Sequence, residues 1–301
     1  MTLSPPTGSV RLVAIAVVVW VVQPFSAGVV IGKALSDTTD SFRTTVSVAA
    51  WIAWLVILLA TAVPRPVTLT IARVGTAGGI IGTLWAAWDL DANHTDASTT
   101  TLAVGVVASM TAVAAVNLPG VADRFLDGVS YGDERRFALR APGPVLVVAL
   151  TPSVLIVIVG LTAGPLMLAD ERWIAGAIVT VVGFGVAWFP LNALHRLTNR
   201  FLVFVPNGLV VHDPTQLREP VLFIKREIAG LAPAPADTTA KDITAAALGL
   251  ALELRFATPT DLSFVSGRTT TDNETVRSLL IAPTRPTAVM ATALERGITI
   301  A

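Results

Sequence analysis

The stretch AWFPLNALHRLTNRFLVFVPNGLVVH, residues 187–212, marks the point at which the chain changes character. Before about His195 the sequence consists of long apolar runs. After it come short runs of β-branched and aromatic residues, separated by turn residues. Asn207-Gly208 between two such runs is a strong signal for a tight β-hairpin. The stretch therefore predicts a boundary near residue 195 between a helical part and a sheet-forming part.

The composition points to a chain that lies mostly in lipid. Of the 301 residues 53% are hydrophobic and 14% are charged, whereas a typical soluble domain has about 25% charged residues. The absence of cysteine excludes disulfides, thiolate metal sites and cysteine catalysis. A net charge of zero gives no overall attraction to nucleic acid, so we expect no nucleic-acid partner. Lysine is rare among the basic residues, which is typical of a GC-rich bacterial genome.

Six apolar stretches are long enough to cross a membrane, because a bilayer core of about 30 Å requires about 20 apolar residues of helix. They are residues 12–32, 45–63, 67–88, 102–118, 145–168 and 173–194. The first could instead be a cleaved signal peptide, but its apolar run is longer than the usual 7–15 residues. We therefore predict an α-helical polytopic membrane protein with six transmembrane helices in residues 1–195. Residues 196–301 are predicted to form a C-terminal α+β, β-barrel-like cytoplasmic domain.

The distribution of arginine in the loops predicts the orientation, since basic loops stay in the cytoplasm. The loop at 89–100 has three aspartates and no basic residue, whereas four arginines follow the fourth stretch: Arg124, Arg135, Arg136 and Arg140. Lys33 and Arg43, in the first external loop, do not fit this pattern. We expect a multi-pass protein of the cell (plasma) membrane with both termini in the cytoplasm.

Small residues and prolines predict how the helices pack and bend. Gly75 with Gly79, and Gly160 with Gly164, have the spacing that lets helix backbones approach closely in lipid. Four prolines lie in or near predicted spans and are expected to kink them: Pro24, Pro152, Pro165 and Pro190.

Two polar residues within the predicted spans are candidate functional residues, because ionisable or polar groups at membrane depth often mark a transport path. Arg73 lies about six residues from the start of its helix, from where its side chain is expected to reach the inner headgroups. Gln23, beside Pro24, is expected to form an interhelical hydrogen bond. The spans contain no Asp or Glu, which disfavours a proton-coupled pump but leaves a facilitator for a neutral or lipophilic solute open.

The acidic loop at 89–96 alternates oxygen donors as the first half of an EF-hand loop does. The match then fails, because His94 occupies the glycine position and Thr100 the position of the final glutamate. A solvated loop is favoured over a cation site, although cation binding stays open. His94, His195 and His212 lack metal-site spacing, so we expect no metal and no cofactor.

The loop at 117–144 is the longest internal connection. Arg135 and Arg136, with nearby carboxylates, could bind a phosphate or an anionic lipid headgroup. The favoured alternative is a juxtamembrane amphipathic helix with Val121, Phe125, Leu126 and Val129 on its apolar face. No nucleophile is paired with a base here or elsewhere, so we expect a protein that is not an enzyme.

Beyond residue 195 the sequence predicts strands and one terminal helix. Strands are expected at 201–205, 209–212, 221–224 and 228–231, followed by a linker at 232–239 and a long alternating strand at 248–256. A turn at 258–260 is predicted to precede a returning strand at 261–265. A helix at 287–296 is expected to end at Gly297 as a C-cap.

This region resembles the bacterial pleckstrin-homology-like domains that are tethered to membrane helices. The resemblance rests on the hairpin Phe-Leu-Val-Phe-Val-Pro-Asn-Gly-Leu-Val-Val at 201–211, the strand start Lys225-Arg226-Glu227-Ile228 and the single terminal helix. The tryptophan often found near the third strand of such domains is absent. The resemblance implies a small barrel capped by a helix and used for protein or lipid contact.

Two classes of function follow. The first is a non-enzymatic scaffold or accessory subunit, whose residues 199–301 bind a protein partner or the inner leaflet of the lipid bilayer. In that case four residues would form a basic surface near the headgroups: Arg196, Arg200, Lys225 and Arg226. The alternative is a transporter or channel subunit, with the kinked first, fifth and sixth helices lining a path.

Overall fold

The computed structural model describes residues 7–93, 98–265 and 271–300. The chain folds as two compact units. Of the described residues, the helical unit takes in 7–121 together with 152–194, and the sheet unit is built from 122–151 and those from 195 onward. The sheet unit therefore includes part of the loop between the fourth and fifth apolar stretches.

Nine α-helices are present in the described residues. They are α1 (Thr7–Val21), α2 (Ala27–Ala34), α3 (Asp40–Ala62), α4 (Pro66–Ala92), α5 (Thr99–Val116), α6 (Pro119–Asp127), α7 (Leu150–Ala169), α8 (Trp173–Thr198) and α9 (Pro286–Glu295). A π-helical turn, Val145–Ala149, leads into α7. Within the part of the chain that the structure describes, six helical stretches are long and apolar enough to cross a membrane, and each coincides with one of the predicted stretches. The prediction of six apolar helices is thus confirmed.

The first apolar stretch is interrupted at Pro24, as expected from the missing N–H of proline. A 3₁₀ turn, Gln23–Phe25, separates α1 from α2. The carbonyl oxygen of Trp20, four residues before Pro24, accepts a hydrogen bond from Trp54 Nε1 at 3.1 Å. Trp54 in turn accepts one from Trp20 Nε1 at 2.9 Å. A side chain of α3 therefore replaces the backbone donor that proline lacks. Pro165 and Pro190 lie inside α7 and α8, which continue past them.

Helices α7 and α8 approach closely at glycines. A methyl group on Gly160 would lie 2.6 Å from the carbonyl oxygen of Gly183, and one on Gly183 would overlap the Gly160 carbonyl. One turn further on, Gly164 faces the backbone of Thr180 just as closely. The small residues predicted at 160 and 164 thus lie at a contact between neighbouring helices of the same chain.

The described residues of the sheet unit form two four-stranded sheets. The first is antiparallel, in the order β1 (Arg135–Ala138), β2 (Phe201–Val205), β3 (Gly208–His212), β4 (Val221–Ile224). The second has the order β5 (Ile228–Pro233), β7 (Leu252–Val265), β8 (Thr271–Ile281), β6 (Lys241–Asp242), with β6 parallel to β8.

Both sheets and α9 share one hydrophobic core. In β2 and β7 the core residues alternate along the strand, as the two-residue period of a strand requires. The strands contribute Phe137, Leu202, Phe204, Leu209, Phe223, Leu254 and Leu279 to the core, and α9 contributes Val289. Isolated bridges from Leu139 to Pro283 and from Leu217 to Phe264 connect the two sheets.

Several local predictions for this region are confirmed. The predicted hairpin is present, with Phe201 opposite His212, and so is the strand at 221–224. The two turn residues of the hairpin are Pro206 and Asn207, because Gly208 pairs with Val205 as the first residue of β3. Helix α9 ends as expected, because Gly297 has φ +72° and its N–H donates to the Leu294 carbonyl at 3.0 Å. Four details were wrong: residues 225–227 form a 3₁₀ turn before β5, β5 continues to Pro233 into the predicted linker, β7 begins at Leu252 and not at residue 248, and β7 runs through 258–260.

Candidate functional site

The most deeply buried charges of the sheet unit form a cluster that we call the arginine node: Arg200, Asp213 and the backbone carbonyls of Arg140 and Ile243. The side chains of Arg200 and Asp213 are 1% and 0% exposed. Arg200 Nε and Nη2 donate to the Asp213 carboxylate at 2.9 and 2.6 Å. Nη1 donates to the Arg140 carbonyl at 2.6 Å, and Nη2 lies 3.4 Å from that of Ile243. A buried guanidinium requires such partners, because an unpaired charge in a low-dielectric interior is very costly.

The arginine node joins the two places where the sheet unit connects to apolar helices. Arg200 lies two residues after the end of α8 at Thr198. Arg140 lies five residues before Val145, where the fifth apolar stretch begins, and its own N–H donates to the Ala282 carbonyl at 2.8 Å. The node thus fixes both connections to the core of the sheet unit.

The prediction that Arg200 belongs to an exposed basic surface was wrong, because the side chain is buried and paired. The hairpin itself held the signal for this pairing. Phe201 lies opposite His212, so extending the ladder by one residue places Arg200 opposite Asp213. A charged pair flanking an antiparallel hairpin at facing positions is a recognised cross-strand arrangement.

The other three residues of the predicted basic surface do not lie together either. Arg196 is exposed at the end of α8, and its Nη2 donates to the Pro214 carbonyl at 3.0 Å. Lys225 and Arg226 are exposed on the turn Lys225–Glu227, where the Lys225 N–H donates to the Asn207 carbonyl. Asn207 lies two residues beyond Val205, the last residue of β2. That end of the strand is about 14 Å from Phe201, at about 3.4 Å per residue. The four basic residues therefore do not form the single surface that was predicted. Lys225 and Arg226 form a separate basic turn at the far end of the hairpin.

Helix α6 covers the outer edge of β1. The N–H groups of Arg136 and Ala138 donate to the carboxylates of Asp127, at 2.6 Å, and Asp123, at 2.9 Å. The spacing fits because residues two apart in a strand and four apart in a helix are both separated by about 6–7 Å. Asp123 and Asp127, on one face of α6, therefore accept hydrogen bonds from backbone N–H groups of the edge strand β1 that would otherwise lack a partner.

Arg135 and Arg136, the predicted anion-binding residues, each face a carboxylate of the same unit. Arg135 Nε lies 3.6 Å from Asp127, and Arg136 Nη2 donates to Glu134 at 3.0 Å. The amphipathic helix predicted here is present as α6, with Phe125 and Leu126 fully buried. Strand β1 after it was not predicted.

Burial raises the pKa of Asp123 to about 6, although the hydrogen bond from Ala138 and the nearby Arg285 guanidinium act to lower it. The pKa of Asp127 is also raised, mainly by burial, and that of His212 is lowered by burial. A carboxyl whose folded pKa exceeds its unfolded value binds its proton more tightly in the folded state. Its ionisation therefore weakens folding as pH rises from about 4 to 6.

We predict that Asp123→Asn removes part of the pH dependence of the sheet unit's stability. Between pH 7 and pH 5 the wild type should gain about 1 kcal/mol of unfolding free energy relative to the variant. The measurement is hydrogen exchange of β2 and β3 in the full chain, corrected for the intrinsic effect of pH on exchange. Taking the difference cancels the contribution of His212 and most of that of Asp127, whose titration changes only through its weak coupling to Asp123. Parallel pH profiles would show that Asp123 does not titrate in this range.

The two polar candidates of the helical unit have different surroundings. Gln23 is buried, and its Nε2 donates to the carbonyls of Val19 at 3.1 Å and Ala108 at 3.0 Å. Ser109, which also contacts Thr83, donates to its Oε1 at 3.4 Å. The interhelical hydrogen bond expected of Gln23 is thus present. Arg73 is half-buried in α4, and within the described part of the chain its Nε has no hydrogen-bond partner.

The acidic loop is only partly described. Asp89 and Asp91 lie in the last turn of α4, whereas His94 and Asp96 lie outside the described residues. Among the residues that are described, no three or more His, Cys, Asp or Glu side chains are grouped to hold a metal ion.

Comparison with family models, with curated proteins and with solved structures found no match to this chain.

Proposed function

We propose that the chain is a six-span protein of the plasma membrane that acts as a non-enzymatic scaffold or accessory subunit. In this proposal both termini are cytoplasmic, and the sheet unit binds a protein partner of acidic character. The observation that carries the proposal is the basic turn beside an open strand edge, at the end of the hairpin remote from the helix connections.

The two edges of the first sheet differ in a way that supports this choice. Edge strand β1 is covered by α6 through Asp123 and Asp127. Strand β4, at the other edge, has only β3 as a strand neighbour among the described residues, and its Leu222 is exposed. Lys225 and Arg226 follow β4 directly. The Ile224 N–H at the end of this edge donates to the Glu227 carboxylate at 3.2 Å. The rest of the edge, with an exposed leucine and two cations beside it, suits an extended acidic segment that adds a strand.

The topology proposed for the membrane is consistent with strand pairing. Arg135–Ala138 pairs with β2, so the loop before α7 and the residues after α8 must lie on the same side of a membrane. Two apolar stretches separate them, and two crossings return the chain to its starting side. The arginine-rich composition of these segments favours the cytoplasmic side.

The order of elements also supports a pleckstrin-homology-like interpretation. Four antiparallel strands, a second sheet and a C-terminal helix follow one another, and α9 packs on the core that both sheets share. One departure is that β1 comes from the loop between two apolar helices. In such an arrangement the domain serves contact and not catalysis.

The transport alternative finds less support at the break in the first helix. A discontinuous helix can present free carbonyls to a solute. Here the carbonyls of Val19 and Trp20 accept hydrogen bonds from the side chains of Gln23 and Trp54. Those two carbonyls are therefore occupied by the protein itself.

The test compares charge reversal at the basic turn with charge reversal elsewhere. Membranes carrying the wild type, the double variant Lys225→Glu/Arg226→Glu or the control Arg277→Glu are solubilised in detergent, and the tagged chain is isolated. Arg277 is exposed on β8. We expect a stoichiometric partner with the wild type and the control, and its loss with the double variant. Equal recovery from all three, or solute flux through liposomes containing the purified chain alone, would contradict the proposal.

A further inference from the structure

An uncharged loop of the sheet unit exposes two leucines. The segment 244–251, which we call the leucine loop, reads Thr-Ala-Ala-Ala-Leu-Gly-Leu-Ala. Leu248 is 61% exposed and Leu250 47%. Single exposed leucines are ordinary on protein surfaces, but two of them on a loop without any charged residue form a small apolar projection.

The loop is held in an unusual conformation. Ala245 and Ala246 have φ of +53° and +57°, the left-handed region that non-glycine residues seldom adopt. Arg140 Nη1 lies within hydrogen-bond distance of the carbonyls of Leu248, at 3.0 Å, and Leu250, at 3.3 Å. Gly249, with φ +103°, leaves the space that the Arg140 guanidinium occupies. Such strain persists only where surrounding contacts enforce it, and it is common at functional segments.

The loop lies beside the point where the chain enters an apolar helix. A methyl group on Gly143 would overlap the Ala246 carbonyl oxygen and lie 3.9 Å from Leu248 Cγ. Gly143 is two residues before Val145, the first residue of the fifth apolar stretch, and Val147 and Val148 just beyond it are exposed. If that stretch crosses the bilayer, Leu248 lies at the level of the headgroups. Arg140 places a positive charge at the same level, where anionic lipids attract it.

We propose that the leucine loop inserts Leu248 and Leu250 into the interfacial region of the inner leaflet and so anchors the sheet unit on the lipid surface. The inference rests on the proposed function, which places the fifth apolar stretch in the membrane. Lipid is the occupant because the loop contacts the segment that leads directly into that stretch. Apolar side chains beside a cation are typical of interfacial contacts.

The absence of cysteine makes the test direct. Leu248→Cys and Leu250→Cys are labelled separately with an environment-sensitive fluorophore, and the full chain is placed in nanodiscs of ordinary or brominated lipid. The matched control is Leu294→Cys, exposed on α9 of the same unit. We expect blue-shifted emission and strong quenching by brominated lipid at 248 and 250, with neither effect at 294.

A further label separates this inference from the proposed function. Val181 is exposed on α8, so Val181→Cys should be quenched by brominated lipid if that helix lies in the bilayer. Quenching at 181 without quenching at 248 and 250 would overturn the leucine-loop proposal alone. No quenching at 181 would overturn both. A label at 248 that is shielded from aqueous quencher but insensitive to brominated lipid would show that protein covers the loop, which also contradicts the proposal.

Discussion

Replacing Arg200 with alanine is expected to destabilise the sheet unit by about 3–5 kcal/mol, the usual cost of removing one partner of a buried ion pair. The Asp213 carboxylate would remain fully buried without its countercharge. The carbonyl of Arg140 would also lose its donor. Because whole domains are stable by only about 5–15 kcal/mol, this loss is a large share of the total, and it should raise the unfolded fraction by about a hundredfold or more. Hydrogen exchange of β2 and β3 in the full detergent-solubilised chain measures the effect.

Two variants separate the ion pair from general effects of losing an arginine. Arg196→Ala removes an exposed arginine four residues earlier that donates to one carbonyl, and its cost should stay near or below about 1 kcal/mol. The double variant Arg200→Met/Asp213→Leu should recover much of the stability, since it leaves no unpaired buried charge. A loss at Arg200→Ala as small as that at Arg196→Ala would mean that the node does not support the fold.

The features that sequence predicted well are those set by local periodicity. Six apolar runs and a hairpin after β2 each depend on residues close together in the chain, and both are present, although the turn is Pro206-Asn207 and not Asn207-Gly208. Strand β1 illustrates the limit. It has only four residues and pairs with residues about 65 positions later, so nothing in its own sequence distinguishes it from loop. The arginines that indicated orientation are also structural partners, as Arg135 and Arg136 face carboxylates of the same unit.

The strand β7 shows how tertiary pairing overrides a local turn signal. Thr258-Pro259-Thr260 is typical of a turn, because proline presets one backbone angle and donates no hydrogen bond. In the structure β7 passes through these residues, and the register against β8 shifts between Arg255 and Thr260. Proline is tolerated within sheets at such irregularities. Residues of β8 pair with β7 on both sides of the shift and keep the strand continuous. The sequence of the tripeptide alone does not contain this pairing.

Replacing Gly183 with valine should destabilise the helical unit by about 1–3 kcal/mol or more, the range for forcing extra volume into a packed contact. Any side chain at 183 meets the backbone carbonyl of Gly160 on α7. Backbone cannot rotate aside as a side chain can, so the two helices must separate and lose their van der Waals contact. In an apolar environment that contact is a main source of helix association. The measurement is the temperature at which the detergent-solubilised chain loses its monodisperse elution peak.

Gly185 is the matched control, because it lies on the same helix two residues later and a methyl group there would meet nothing within 4 Å. Gly185→Val changes helix propensity and hydrophobicity as Gly183→Val does, so only the contact with α7 differs between the two variants. We expect Gly185→Val to elute and melt as the wild type. If both variants melt alike, the close approach of α7 and α8 does not limit stability. If only Gly183→Val lowers the melting temperature, the close contact with Gly160 on α7 stabilises the helical unit. The spacing of Gly160 and Gly164 then serves packing between helices of one molecule.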